Sequence, residues 1–373
     1  MDQNRDVIII SFTGTGTKQN RELCKKIRRA GLRCAGYTIK KYADSEILPL
    51  PAPVGRFAGE AGEGWGSRDL VFIGAAGIAV RAIAPWIKDK FTDPAVLVMD
   101  EKGRYVIPIL SGHVGGAAAL ADRIAALTGA QAVHTTATDV QGKFAVDVFA
   151  RKNHLLITDR DAAKRISAAI LDGEKAAFFC DVPESDVSGE LPEEIVLCES
   201  GREAEAYRCR IIVTEGKEWD DYIYKKELSE TILILKPRNI IAGIGCRKGI
   251  PVKKLEDGLQ SVLEQHGLDV VQVEGIASIE LKKDEPAILA LTEKYRIPFV
   301  TYSTDELREI SGVSAGSDFV KKITGVDNVC ERAVLKYLGD EQYGSCDGKL
   351  IQEKCIRDSM TAALAMRRVR IEF

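Results

Sequence analysis

The chain has 373 residues, more than one hydrophobic core usually organises, so two or three domains are expected. Its 45% hydrophobic and 29% charged residues are ordinary for a globular protein, and a net charge of -3 gives no sign of the basic face a nucleic-acid binder carries. No apolar run approaches the roughly 20 residues of a membrane span, and the opening MDQNRDVIIISF is too short in apolar residues, with acidic residues ahead of them, for an export signal. Nine cysteines without a C-x-x-C pair therefore read as reduced thiols of a cytoplasmic protein. Four histidines, with no H-E-x-x-H and no Cys/His cluster, lead us to expect no protein-held metal.

Residues 7–12, VIIISF, read as a buried strand, and residues 18–29 as a helix with Leu23 and Ile27 on one face. A second strand falls near 33–39, and the Pro- and Gly-rich residues 49–68 read as a loop. Residues 70–73, 95–99, 105–110 and 132–135 are strand candidates, with helices opening near Ile78 and Val114. This alternation predicts a mostly parallel sheet covered on both faces. Residues 161–171 then read as a helix, and 176–180, 194–198, 208–213 and 231–235 as strands separated by acidic loops. Lys236-Pro237-Arg238 looks like a boundary. Beyond it come a strand at 239–243, a helix from Pro251, a strand at 270–273, a helix at 286–295 and a strand at 299–302. Ser303 and Glu306 form a capping box, helices follow near 318–324 and 328–338, and the final strand is 360–367. The fold class is α/β. We divide it into an N-terminal domain, 1–139, a smaller α/β middle domain, 140–236, and a C-terminal domain, 237–373, the outer two on mostly parallel sheets.

Several turns carry chemistry. The densest is Ser111-Gly112-His113-Val114-Gly115-Gly116, where glycines admit a ligand close to the backbone and the next helix directs amides and a positive dipole end toward it. His113 is the titratable group there; the alternative is a plain strand-to-helix turn with His113 bonded to a carbonyl. Gly74-Ala75-Ala76-Gly77 opens another helix, and Arg81 one turn on suits a carboxylate, or is a surface charge. Thr135, Thr136 and Asp139 suit a ligand at a sheet edge; the alternative is an N-cap, Thr138 or Asp139 bonding the amides of the next helix. Gly243-Ile244-Gly245-Cys246-Arg247-Lys248-Gly249 lacks the third glycine of a dinucleotide fingerprint and is better read as an anion cradle. In Ala277–Glu285, Ser278 and Lys282 either reach an acidic substrate or belong to a solvated loop in which Asp284 caps the next helix.

The segments GAAGIAVRAIAPWI, LSGHVGGA, HTTATD, IAGIGCRKG, ASIELKKDEPAI and TGVDNVCERAVL, in this order, resemble the cobalt-precorrin-5A hydrolase family of oxygen-independent cobalamin biosynthesis. The resemblance implies hydrolytic opening of a δ-lactone on a cobalt-containing, ring-contracted tetrapyrrole, with loss of acetaldehyde. It implies that cobalt arrives with the substrate and that no further cofactor is needed. Such a substrate bears acetate and propionate arms. We therefore expect it to be held by Gly74, Gly77, Arg81, Ser111, Gly112, Gly115, Gly116, Thr135 and Thr136, and by Gly245, Cys246, Arg247, Lys248, Ser278 and Lys282. His113 is the expected general base or acid, with Asp139 as its partner. Neither nucleic acid nor membrane is an expected partner; transient contact with neighbouring cobalamin-pathway enzymes is. Two rivals are a non-catalytic corrinoid carrier and a nucleotide-dependent transferase using the Gly243 turn.

Overall fold

The apolar runs of the N-terminal part become strands because both of their faces are covered. β1 (Val7–Ser11) and β4 (Asp69–Ile73) lie parallel, side by side. Val7, Ile9, Val71 and Ile73 face α1 (Gly14–Arg29) and α4 (Ala117–Thr128). Ile8, Ile10, Leu70 and Phe72 face α2 (Val54–Glu60) and α3 (Ala76–Ile83). A strand buried on both sides is apolar at every position, not at alternate ones. The computed structural model describes residues 6–60, 64–89, 92–112, 115–216, 219, 230–314, 316–357 and 359–373, without the side chains of Thr138, Asp139 and Phe319. The chain divides into two units, Met1–Lys143 and Phe144–Phe373. Among the described residues, no helix is long and apolar enough to cross a membrane.

The sheet of the first unit runs β3 (Leu48–Pro49), β2 (Cys34–Thr38), β1, β4, β5 (Val96–Met99), β6 (Tyr105–Leu110), β7 (Gln131–Ala132). From β3 to β5 every pairing is parallel. β6 then runs antiparallel to β5, and β7 runs parallel to β6. Only residues 100–104 join β5 to β6, too few for the crossover of a dozen or more that a parallel return requires. Asp100 closes the turn, its Oδ1 accepting the amides of Arg104 at 2.6 Å and Tyr105 at 2.8 Å.

Three local expectations are corrected here. Residues 49–68 contain α2, whose Gly59 lies so close to the Trp86 ring that a Cβ would sit 1.9 Å from it; the glycines that read as loop signals permit that packing. The helix expected from Val114 starts at Ala117, behind Gly116 at φ 88°. The strand expected at 132–135 ends at Ala132, leaving Thr135 and Thr136 exposed ahead of a short helix, Ala137–Gln141.

The second unit holds two larger sheets. One runs β11 (Ile195–Leu197), β9 (Ala176–Asp181), β12 (Cys209–Thr214), β13 (Thr231–Pro237), β8 (Leu155–Ile157), parallel except where β8 meets β13. Lys236 and Pro237, expected at a boundary, are strand residues, and Pro237 pairs with Leu155. Pro237 lies beyond Leu235, where pairing with β12 stops, so it withholds no ladder bond on that side. The other sheet runs β16 (Phe299–Tyr302), β15 (Val273–Ile279), β14 (Ile240–Cys246), β18 (Met360–Arg367), β17 (Gly348–Arg357), parallel on one side of β14 and antiparallel on the other. The strand expected at 270–273 is a 3-10 turn, Val270–Gln272, capped by Asp269, and β15 begins only at Val273. A closing strand, β19 (Arg370–Glu372), pairs with β10 (Asp186–Ser188), and the Phe373 ring packs tilted against Phe144 and Phe149 and edge-on to Phe178.

β14 sits against helix Val329–Leu338, and the closeness rests on Gly243: a Cβ there would lie 1.9 Å from the carbonyl oxygen of Cys330. Backbone cannot yield as a side-chain tip can. Gly243→Ala is expected to cost about 3 kcal/mol, at the upper end of overpacking penalties, read as a lower midpoint in urea with an unchanged slope.

Candidate functional site

Because β6 opposes β5, the two glycine turns of the first unit stand at opposite edges of its sheet. Gly74 follows β4 and donates its amide to the Met99 carbonyl, at the carboxyl end of β5, at 2.9 Å. Ser111 follows Leu110, which pairs with Val96, the first residue of β5. A four-residue strand separates them by roughly 13 Å at 3.3 Å per residue. Gly74, Gly77 and Arg81 therefore stand at one edge, and Ser111, Gly112, Gly115 and Gly116 at the other.

At the first edge, Gly74 precedes α3 and Gly77 lies in its first turn; the N-cap residue Ala75 makes no side-chain cap bond. Arg81 is exposed and bends back, Nη1 donating to the Gly77 carbonyl at 3.1 Å. Thr13 lies at this edge too; it accepts the Gly16 amide at 3.0 Å and donates its hydroxyl to Glu101 at 2.6 Å. Here β1 connects to one side of the sheet and β4 to the other, the kind of switch point at which open α/β sheets bind ligands.

At the second edge, Ser111 holds φ 55°, unusual for a residue with a Cβ, and its hydroxyl is buried without a partner among the described residues. Gly115 packs on it: a Cβ at Gly115 would meet the Ser111 Cβ at 2.2 Å. The expected free amides of the following helix are partly spent. Ala117 and Ala118 donate theirs to the Ser111 and Gly112 carbonyls at 3.1 and 2.9 Å. Gly112 faces Thr136, whose Oγ1 lies 3.6 Å from where a Gly112 Cβ would stand. His113 lies outside the described residues, as does the side chain of Asp139. Sequence reasoning passed over a second histidine here: His134 Nε2 meets Asp122 Oδ1 at 2.7 Å. The twelve-residue separation of that pair offered no local pattern to read.

The second unit gathers its candidates at one edge. Gly245 and Cys246 end β14, and Arg247, Lys248 and Gly249 turn at the surface, with the Arg247 amide on the Ser359 carbonyl at 3.0 Å. Gly245 serves packing, since a Cβ would lie 2.6 Å from Thr361 Oγ1. Ser278 is corrected: it is a fully buried residue of β15 whose hydroxyl donates to the Ile244 carbonyl at 2.6 Å, inside the sheet and not at a ligand surface. Lys282 is paired, its Nζ 2.9 Å from Glu285. Glu285, not Asp284, occupies the cap position of the next helix. Burial pushes the Cys246 thiol up from its ordinary range, against the pull of Lys282, so it is protonated and a poor nucleophile at neutral pH.

Beyond this edge, Glu331 of the TGVDNVCERAVL segment is completely buried. Its carboxylate accepts the Ser314 amide at 2.7 Å, the Lys354 amide at 2.6 Å and the Ser314 hydroxyl. Burial pushes this carboxyl up, but these donors outweigh it and hold it below its ordinary 4.5. A depressed carboxyl contributes stability that is present above its unfolded value and lost as pH falls through the folded one. Glu331→Gln should cost about 2 kcal/mol at pH 7. The gap from wild type should narrow below pH 4.5 in urea titrations across pH.

Three family models match the chain in order. They are Cobalamin synthesis G N-terminal over residues 62–139, Cobalamin biosynthesis central region over 144–218, and Cobalamin synthesis G C-terminus over 240–365. The class is thus that of cobalamin-biosynthesis proteins with this three-part order. Among curated relatives, the cobalt-precorrin-5A hydrolase of Salmonella typhimurium is 35% identical over 79% of this chain and 82% of its own. That of Priestia megaterium is 34% identical over 73% of each. The probable cobalt-precorrin-5A hydrolase of Methanocaldococcus jannaschii is 33% identical over 84% of this chain and 88% of its own. The chain belongs to the cobalt-precorrin-5A hydrolase family.

Proposed function

We propose that this chain hydrolyses the δ-lactone of cobalt-precorrin-5A and releases acetaldehyde, giving cobalt-precorrin-5B in anaerobic cobalamin biosynthesis. The observation that carries the reading is the 33–35% identity to relatives of that name over most of both chains. Water adds to the lactone carbonyl and the ring opens to a carboxylate and a hydroxyethyl group. That hydroxyl then loses its proton, its C–O becomes a carbonyl, and the C–C bond to the macrocycle breaks. Acetaldehyde leaves, and the macrocycle keeps the electron pair and gains a proton. The sum is addition of water and loss of a fragment, so no redox cofactor is called for, and cobalt is part of the substrate.

For the roles, His113 is assigned as the base that takes the proton from water or from the hydroxyethyl group, with Asp139 orienting it. The amides of Gly112, Gly115 and Gly116 are assigned to the developing oxyanion. Ala117 and Ala118 are left out, because their amides already have partners. Exposed Arg81, Arg247 and Lys248 suit the acidic arms of the substrate. The cytoplasm, and brief hand-over contacts with neighbouring pathway enzymes, complete the reading.

The test is to mix the purified chain with cobalt-precorrin-5A and trap aldehyde. Stoichiometric acetaldehyde supports hydrolysis; tight binding with no aldehyde makes the chain a carrier. His113→Asn is expected to slow aldehyde release by about a hundredfold, and turnover at the wild-type rate would remove His113 from the mechanism.

A further inference from the structure

Glu285 was not among the residues singled out from the sequence, yet it ties the C-terminal edge together. It is 5% exposed and stands at the cap position of helix Pro286–Tyr295. Its carbonyl accepts the Ile288 and Leu289 amides, but its side chain makes no bond to its own helix. It turns across to the end of the neighbouring strand, where it accepts the Gly249 amide at 2.8 Å, and it binds the Lys282 ammonium at 2.9 Å. Gly249 adopts φ 71°, a conformation that a glycine holds without strain but does not by itself enforce. The bond from Glu285 supplies that constraint. It joins two loops that leave adjacent parallel strands, β14 and β15.

We propose that Glu285 is a positioning residue for substrate binding: it fixes the Cys246–Gly249 turn so that Arg247 and Lys248 are held out toward the acidic arms of the substrate, while compensating the charge of Lys282. Arg247 and Lys248 are exposed, whereas Lys282 is mostly buried and already paired. The cationic groups that the turn itself offers are Arg247 and Lys248. Burial raises the Glu285 carboxyl, but Lys282, the Gly249 amide and Lys248 outweigh it and keep it ionised at neutral pH.

The inference rests on the proposed reaction, so one readout is chosen that needs no substrate. In the full-length chain, Glu285→Ala should speed hydrogen exchange in the peptide covering 247–250 at least tenfold. Glu285→Gln retains an acceptor for Gly249 and should stay within threefold of wild type, which also guards against a variant that fails to fold. In the aldehyde assay Glu285→Ala should raise KM about tenfold with kcat within threefold, and Glu285→Gln should raise KM less. Unchanged exchange in Glu285→Ala, or a loss confined to kcat, overturns the positioning role. A wild-type chain that releases no aldehyde overturns the reaction instead, and leaves the exchange result to decide the tie.

Discussion

The reversal at Asp100 governs where the chemistry of the N-terminal unit can lie. A carboxylate that accepts the amides of Arg104 and Tyr105 closes a turn too tight for any crossover. The strand that follows has to run back beside β5. Ser111 and Gly112, which follow it, are then carried to the edge opposite Gly74 and Arg81, and Thr136 meets Gly112 there. A single short turn thus sets the two glycine turns of this unit at opposite edges of its sheet.

Glycine serves two ends in this chain. Gly74, Gly116 and Gly249 hold backbone at turns with φ 149°, 88° and 71°. Gly59, Gly243 and Gly245 are glycines because other atoms occupy the space of a side chain: the Trp86 ring, the Cys330 carbonyl and the Thr361 hydroxyl. The motif IAGIGCRKG therefore mixes packing with recognition. Its first two glycines let a helix and a strand come close, and its last residues form the exposed cationic turn.

Buried carboxylates then set the geometry of the second unit. Glu331 draws together the loop at Ser314 and the strand residue Lys354, and Glu285 draws together two strand ends. A buried anion is tolerable only where several donors surround it, so each fixes its donors in place. Arg367 does the converse, with Glu274 at 2.6 Å and carbonyls of Tyr337 and Leu338 around its guanidinium.

Much of the architecture was legible in the chain itself. Wholly apolar runs such as Ile8–Ile10 announce strands covered on both sides, and the helices at Pro286–Tyr295 and Asp318–Thr324 follow from period and capping. Family membership was legible too, because six motifs in one order are a local property of sequence. Strand direction, the burial of Ser278, the pairing of Lys282 and the reach of Glu285 were not. Each depends on which segments lie side by side, and that is settled by long-range pairing and core packing, which leave no periodic trace along the chain. Residue type determined which groups could bind or move a proton; only the folded neighbourhood decided which of them were already committed to one another.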